Sequence, residues 1–258
     1  MSLFELRQET SPLVISVPHD GAQIPDDIAA LMNPAVMGST DRDLLINEVF
    51  EFEGFKYSKI KANYARHVID LNRPASGEAL YHNQAETELC PTSTFDFQPI
   101  YKPGLEPDTE AVKYRIENYW QPYHNQLKKL IDQAQQAYGF CLLLDAHSID
   151  DEVPRFFDGR LPDINVGSNA GNSCGAAIES LLMHQLATQE HYSYINNGRF
   201  KGGFITRHYG QPERGVHAIQ LEHAKSAYLH KSQFSGNKTH KLRQFWQDLI
   251  AVLLKSLN

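Results

Sequence analysis

Phe140-Cys141-Leu142-Leu143-Leu144-Asp145-Ala146-His147-Ser148 is a short apolar run that turns polar abruptly at Asp145. A run of this length and composition reads as a strand buried on both faces, the signature of a parallel sheet covered by helices. The pattern recurs toward both ends of the chain. Leu13-Val14-Ile15-Ser16-Val17 stops at Pro18 and is followed by His19, and Val216 to Leu221 ends at Glu222. Helical stretches lie between these runs. Pro25 to Met32 carries Asp26 and Asp27 at its positive end. Asp41 to Phe50 has apolar Leu44, Leu45, Val49 and Phe50, and Asp108 to Tyr138 is interrupted by Pro122. Gly175 to Gln189 follows. Thr239 to Leu257 shows an apolar face of Leu242, Phe245, Leu249, Val252 and Leu253, with Thr239 suited to cap its start. Lys59 to Leu71 holds one or two further strands closing at Asn72-Arg73-Pro74. The alternation predicts a single α/β domain over residues 1–258, with a mostly parallel central sheet flanked by helices.

Three segments carry little regular pattern. Ala75 to Pro107 is rich in Pro, Ser and Thr, and a loop of that length in a compact domain is usually a lid or a pocket wall. Asp150 to Cys174 and Asn196 to Gly215 are dense in glycine, which suggests tight bends or close approach to a ligand.

Bulk properties narrow the function. The chain has 258 residues, 41% hydrophobic and 21% charged, as in an ordinary soluble globular protein. A net charge of -7 without a basic run argues against nucleic acid or an anionic membrane surface as partner. An anionic small-molecule substrate would have to be captured by a few local arginines. Cys90, Cys141 and Cys174 form no C-x-x-C pair and are odd in number, which reads as reduced and cytoplasmic. Met1 to Ser11 has no apolar core of a signal peptide, and no stretch reaches the roughly 18 apolar residues of a membrane span. Oligomeric state is not readable from these features.

In open α/β sheets, sites gather beyond the carboxyl ends of the strands. His19, His147 and Glu222 each follow an apolar run almost immediately, so all would project from one rim of the sheet. Amide hydrolysis at neutral pH needs such a set. A zinc ion with an open position lowers the pKa of bound water to ~7, a carboxylate outside the metal shell moves the proton, and arginine stabilises the oxyanion. With 12 histidines present, any one alone is more often a surface or core residue. The strand-end position is what raises His19 and His147 above the rest. Asp145 reads as a carboxylate orienting an imidazole or as a loop cap. Arg73 either caps a loop or holds a carboxylate bidentately. There is no H-E-x-x-H, G-x-S-x-G, Walker A or G-x-G-x-x-G motif, which disfavours zincin, serine-hydrolase and nucleotide chemistry.

The strings PLVISVPHDGAQIP, YARHVIDLNRP, LLLDAHSI, RLPDINVGSNAGNSC and NGRFKGGFITRHYGQPERGVHAIQLE, in this order from about Pro12 to Tyr228, resemble the N-formylglutamate amidohydrolase family. The resemblance implies a phosphorylase/hydrolase-like fold of the zinc-carboxypeptidase type. It also implies hydrolysis of N-formyl-L-glutamate to formate and glutamate in histidine degradation. The more distant zinc carboxypeptidases are similar in order: a metal His after an early strand, an Asn-Arg pair, a His-Ser after a central strand and a late catalytic Glu. Those positions match His19, Asn72-Arg73, His147-Ser148 and Glu222. The carboxypeptidase metal Glu, three residues after the first His, is Ala22 here, so the third ligand must come from elsewhere. Asp43 in the segment Thr40-Asp41-Arg42-Asp43 is the choice, with Asp41 as alternative. The resemblance thus implies His19, Asp43 and His147 as ligands of one zinc ion per chain, with another divalent metal as the alternative. Glu222 is then the proton carrier with Arg73 beside it, and Asn72, Arg207 and His208 contact substrate. Two other readings are a related zinc hydrolase acting on another N-acyl amino acid or small peptide, and a non-catalytic module binding a dicarboxylate.

Overall fold

The computed structural model describes residues 2–39, 41–80 and 84–257. Its strands are β1 (Phe4–Arg7), β2 (Leu13–Val17), β3 (Ser58–Ala62), β4 (Cys141–Ile149), β5 (Ile164–Gly167), β6 (Tyr194–Asn196) and β7 (Val216–Ala224), with a small hairpin of β8 (Leu229–His230) and β9 (Gln233–Phe234). The helices are α1 (Asp26–Ala29), α2 (Ile46–Val49), α3 (Thr109–Arg115), α4 (Gln121–Tyr138), α5 (Ala176–Ala187), α6 (Phe204–Tyr209) and α7 (Gly236–Leu257).

The main sheet runs β1-β3-β2-β4-β7-β5-β6. Its centre, β3-β2-β4-β7, is parallel. β1 joins antiparallel at one side, and β5 turns antiparallel against β7 at the other. The α/β class with a mostly parallel sheet is therefore as expected. Side chains alternate along each strand, so each central strand feeds two cores. Leu13, Ile15, Val17, Leu142, Leu144, Ile219 and Leu221 pack toward α2, α5 and α7. Val14, Cys141, Leu143, Val216 and Ala218 pack with Leu127, Leu130 and Ile131 of α4. Cys90, Cys141 and Cys174 are all free and buried. No helix among the described residues is long and apolar enough to cross a membrane.

Several local expectations are corrected. β4 and β7 do not stop at Leu144 and Leu221 but continue through the polar residues to Ile149 and Ala224. Asp41 to Phe50 is helical only over Ile46–Val49, because Leu45 takes a left-handed backbone at φ 60°. Lys59 to Leu71 is a strand only to Ala62, and Asn72-Arg73 therefore follows a loop rather than a strand. Pro25 to Met32 shrinks to a single turn, α1. The long helix does not end at Pro122: α3 passes through a π-helical turn, Ile116–Trp120, directly into α4. The wider turn lies in the residues just before the proline, whose missing N–H and ring disturb the regular i→i−4 ladder. α4 ends at Gly139, whose φ of 79° suits glycine. α7 begins before Thr239, which is buried and donates its hydroxyl to Tyr228 O (2.9 Å) instead of capping. Ala75 to Pro107 holds no helix or strand among its described residues, and residues 81–83 lie outside them.

Candidate active site

The register of β4 against β7 sets Asp145 beside Gln220 and His147 beside Glu222. These four continue the face that carries Cys141, Leu143, Val216 and Ala218. That face is apolar under α4 and becomes polar toward the carboxyl ends of the strands. Each of these side chains meets a partner, as burial demands, although Asp145 Oδ1 itself is left without one.

His19 lies two residues beyond β2. Its Nε2 is 2.7 Å from Asp70 Oδ1. Asp70 also accepts from Arg66 Nη2 (2.7 Å) and from the Asn72 backbone N–H (2.9 Å). Burial alone would raise the Asp70 carboxyl, but the charges of His19, Arg66 and Arg73 outweigh it and hold it well below the usual range. On β4, His147 Nε2 is 2.9 Å from Asp145 Oδ2. Both imidazoles thus give one nitrogen to a buried carboxylate and turn Nδ1 inward. Asp43 Oδ2 sits there, 3.0 Å from His147 Nδ1 and 3.8 Å from His19 Nδ1, and accepts the Ser148 N–H at 3.1 Å.

The loop that delivers Asp43 is built by Asp20. That carboxylate accepts from Leu45 N (2.9 Å), Asn47 N (3.2 Å) and Arg42 Nη2 (3.0 Å), while Asp43 N donates to His19 O (3.0 Å). A helix over residues 41–45 would break this anchorage, which is why the amphipathic pattern there is overridden. Asp41, the alternative ligand, turns elsewhere: its Oδ2 meets His67 Nε2 at 3.2 Å and Phe95 N at 2.9 Å.

One donor atom each from His19, Asp43 and His147 lies within 4.8 Å of the others. Bonds of ~2 Å to a shared zinc ion bring ligand atoms to this scale, and a set of two imidazoles and a carboxylate suits zinc. Hydrogen bonds from the outward imidazole nitrogens to Asp70 and Asp145 are the arrangement that fixes such ligands. Burial, opposed by the charge of His147, pushes the Glu222 carboxyl up to about 7. Burial would lower His147, but Asp145 and Asp43 outweigh it and hold it well above 6.5.

His19, Asp43, His147 and Glu222 line a pocket of about 570 Å³, open mouth included. Asn72, Arg73, Arg66, Arg199 and Gln220 line it too. Three arginines, Arg66, Arg73 and Arg199, thus face the pocket alongside the carboxylates Asp43, Glu86 and Glu222. Asn72 is held by donating to Asp145 Oδ2 (3.1 Å) and accepting from Ile205 N (2.8 Å). Arg73 is steadied by Thr87 O at 2.9 Å. Arg207 and His208 do not line the pocket, contrary to expectation. They lie on α6, where Arg207 Nε donates to Gly202 O (2.7 Å) and His208 stacks on Phe204 at 4.7 Å. Arg66, Asp70, Arg199 and Gln220 were not singled out by sequence reasoning. Arg66 and Asp70 form an ion pair four residues apart across a turn, outside the helical setting that would make such a spacing readable.

Residues 11–229 match the model of the N-formylglutamate amidohydrolase family. The chain belongs to this family. It is 43% identical over 219 residues to the N-formylglutamate deformylase of Pseudomonas aeruginosa, a match covering 84% of this chain and 82% of the relative. To the N-formylglutamate deformylase of Pseudomonas putida it is 39% identical over 232 residues, covering 90% and 86%. The crystal structure of N-formylglutamate amidohydrolase from Ralstonia eutropha JMP134 shares the fold, with a TM-score of 0.82 at 22% identity over 100% of this chain and 98% of that one. The matched family region contains every pocket residue named above.

Proposed function

We propose that this chain hydrolyses N-formyl-L-glutamate to formate and L-glutamate at a zinc site held by His19, Asp43 and His147. Family membership and the two deformylase relatives support the reaction. The observation that carries the metal-dependent mechanism is the convergence of three ligand atoms within 4.8 Å, with Glu222 paired beside His147. Zinc held there would supply a water of pKa ~7 and polarise the formyl carbonyl.

Glu222 takes a proton from the attacking water and returns it to the amide nitrogen as glutamate leaves. A carboxyl pushed up to about 7 both accepts and releases a proton near neutral pH. Arg73 presents a planar guanidinium suited to a substrate carboxylate or to the developing oxyanion. Asn72, tied to Asp145 and to the start of α6, keeps the wall between the His147 support and Arg73 in place. In this reading the reaction closes one histidine degradation route in the cytoplasm.

Metal analysis with a formate-release assay tests the proposal. N-formyl-L-glutamate should be cleaved in preference to N-acetyl-L-glutamate and to small peptides. Chelation should abolish turnover and zinc restore it. Faster cleavage of the acetyl or peptide substrates would refute the substrate, and full activity after metal removal would refute the metal.

A further inference from the structure

We infer that Gln220 is a positioning residue for Glu222, holding one carboxylate oxygen so that the other faces the reacting water. The inference rests on the reading of Glu222 as proton carrier. Gln220 lies two residues before Glu222 on β7, so both side chains leave the sheet on the same face. It is 4% exposed. Its amide orientation is determined by its partners. Gln220 Oε1 accepts the Gly203 N–H at 2.7 Å, and a backbone N–H can only donate. The NH2 group must then face Glu222 Oε2, at 3.2 Å.

The Gly203 N–H reaches Gln220 because the Gly202-Gly203 turn carries no side chain. A Cβ on Gly203 would fall 2.3 Å from Asn72 Nδ2. Behind the turn, Gly167 is the ladder partner of Gln220, and a Cβ there would fall 2.6 Å from Gly202 N. The turn therefore rests backbone to backbone on the sheet end, pinned on one side by Asn72 and on the other by Gln220. The terminal torsion of a glutamate is broad and roughly two-fold. A donor on Oε2 narrows it and leaves Oε1 for proton transfer. Proton transfer depends steeply on placement, since a 1 Å error can cost ~10²-fold.

If Gln220 served only to satisfy Gly203, any acceptor of the same size would suffice. Gln220→Glu keeps such an acceptor but turns an oxygen toward Glu222, and Gln220→Met removes both bonds at similar volume. Both variants should lose ~10-fold or more in kcat. KM should stay within about threefold and zinc content near that of the unmodified chain. Gln220→Glu should melt near the unmodified chain, whereas Gln220→Met, which leaves the buried Gly203 N–H without an acceptor, should melt a few degrees lower. In a Glu222→Gln background, Gln220→Met should add no further loss, because the group it acts through is gone. The inference is overturned by a Gln220→Glu kcat within about twofold of normal, by an effect on KM alone, by losses that track zinc content, or by an equal loss in the Glu222→Gln background. Near-normal turnover of Glu222→Gln itself would remove Glu222 as proton carrier and the inference with it. An inactive Glu222→Gln beside a normal Gln220→Met would remove only the inference.

Discussion

Asp70→Asn separates the groups that hold a metal from the groups that aim them. The substitution preserves shape and volume at a position with 0% exposure. In the native site Oδ1 takes His19 Nε2 and the Asn72 N–H, while Oδ2 takes Arg66. An asparagine offers one acceptor and one donor. If its oxygen faces His19, its NH2 opposes the Arg66 guanidinium; if the amide turns over, the donor opposes the Asn72 N–H and His19 loses its acceptor. Either orientation removes the negative charge that makes the His19 imidazole a better ligand. Loss of such a support costs ~10- to 100-fold in metal affinity, or about 1.4 to 2.7 kcal/mol. Competition with a chromophoric chelator reads this directly, and a thermal melt of the metal-free protein checks folding. Zinc affinity unchanged in a folded Asp70→Asn protein would refute the claim that Asp70 prepares His19 for a metal.

Arg73→Lys should raise KM for N-formyl-L-glutamate about tenfold with a smaller effect on kcat, because a lysine cannot reproduce bidentate contact; steady-state kinetics check it. Metal-free protein titrated with zinc near pH 7 should release at least one proton, since His147 is held above 6.5 and must give up its proton to bind and a zinc-bound water of pKa ~7 would add to the count; calorimetry in buffers of different ionisation enthalpy measures it. Stability should fall on acidification through His124, which burial against Trp120 lowers to about 3. Above pH ~6.5 the ring is neutral whether folded or unfolded; between ~6.5 and ~3 only the unfolded chain takes the proton, at about 1.4 kcal/mol per pH unit. Urea midpoints measured from pH ~7 to ~5 should decline, and should decline less in His124→Gln.

The elements legible in the sequence were those whose burial is symmetrical. β2, β4 and β7 are apolar on both faces for most of their length, and α5 and α7 carry long apolar patterns. Their ends were read too early because Asp145, His147, Gln220 and Glu222 look like strand terminators. They are instead ladder residues whose partners come from Asp43, Asn72 and the Gly202-Gly203 turn, remote in sequence. β1 and β6 are short edge strands with exposed residues, so they lack a burial pattern to betray them. The loop at Asp41 to Leu45 shows the limit of periodicity: its helical spacing yields to Asp20, which takes the backbone N–H groups of Leu45 and Asn47. The two histidines and Glu222 could be placed at one rim from strand order alone. The supporting carboxylate Asp70 and the arginines Arg66 and Arg199 could not, since they arrive on segments without regular structure. Arg207 and His208, read from a Gly-rich segment as substrate contacts, lie on α6, where Arg207 bonds Gly202 O and His208 stacks on Phe204.

The most direct measurement is formate release from N-formyl-L-glutamate by Glu222→Gln, with zinc determined on the same sample. Zinc content should match the unmodified chain while turnover drops by ~10²-fold or more, the scale of losing a positioned acid–base group. Turnover near normal at full zinc content would contradict proton transfer by Glu222, and turnover that merely follows lost zinc would return that carboxylate to the metal shell.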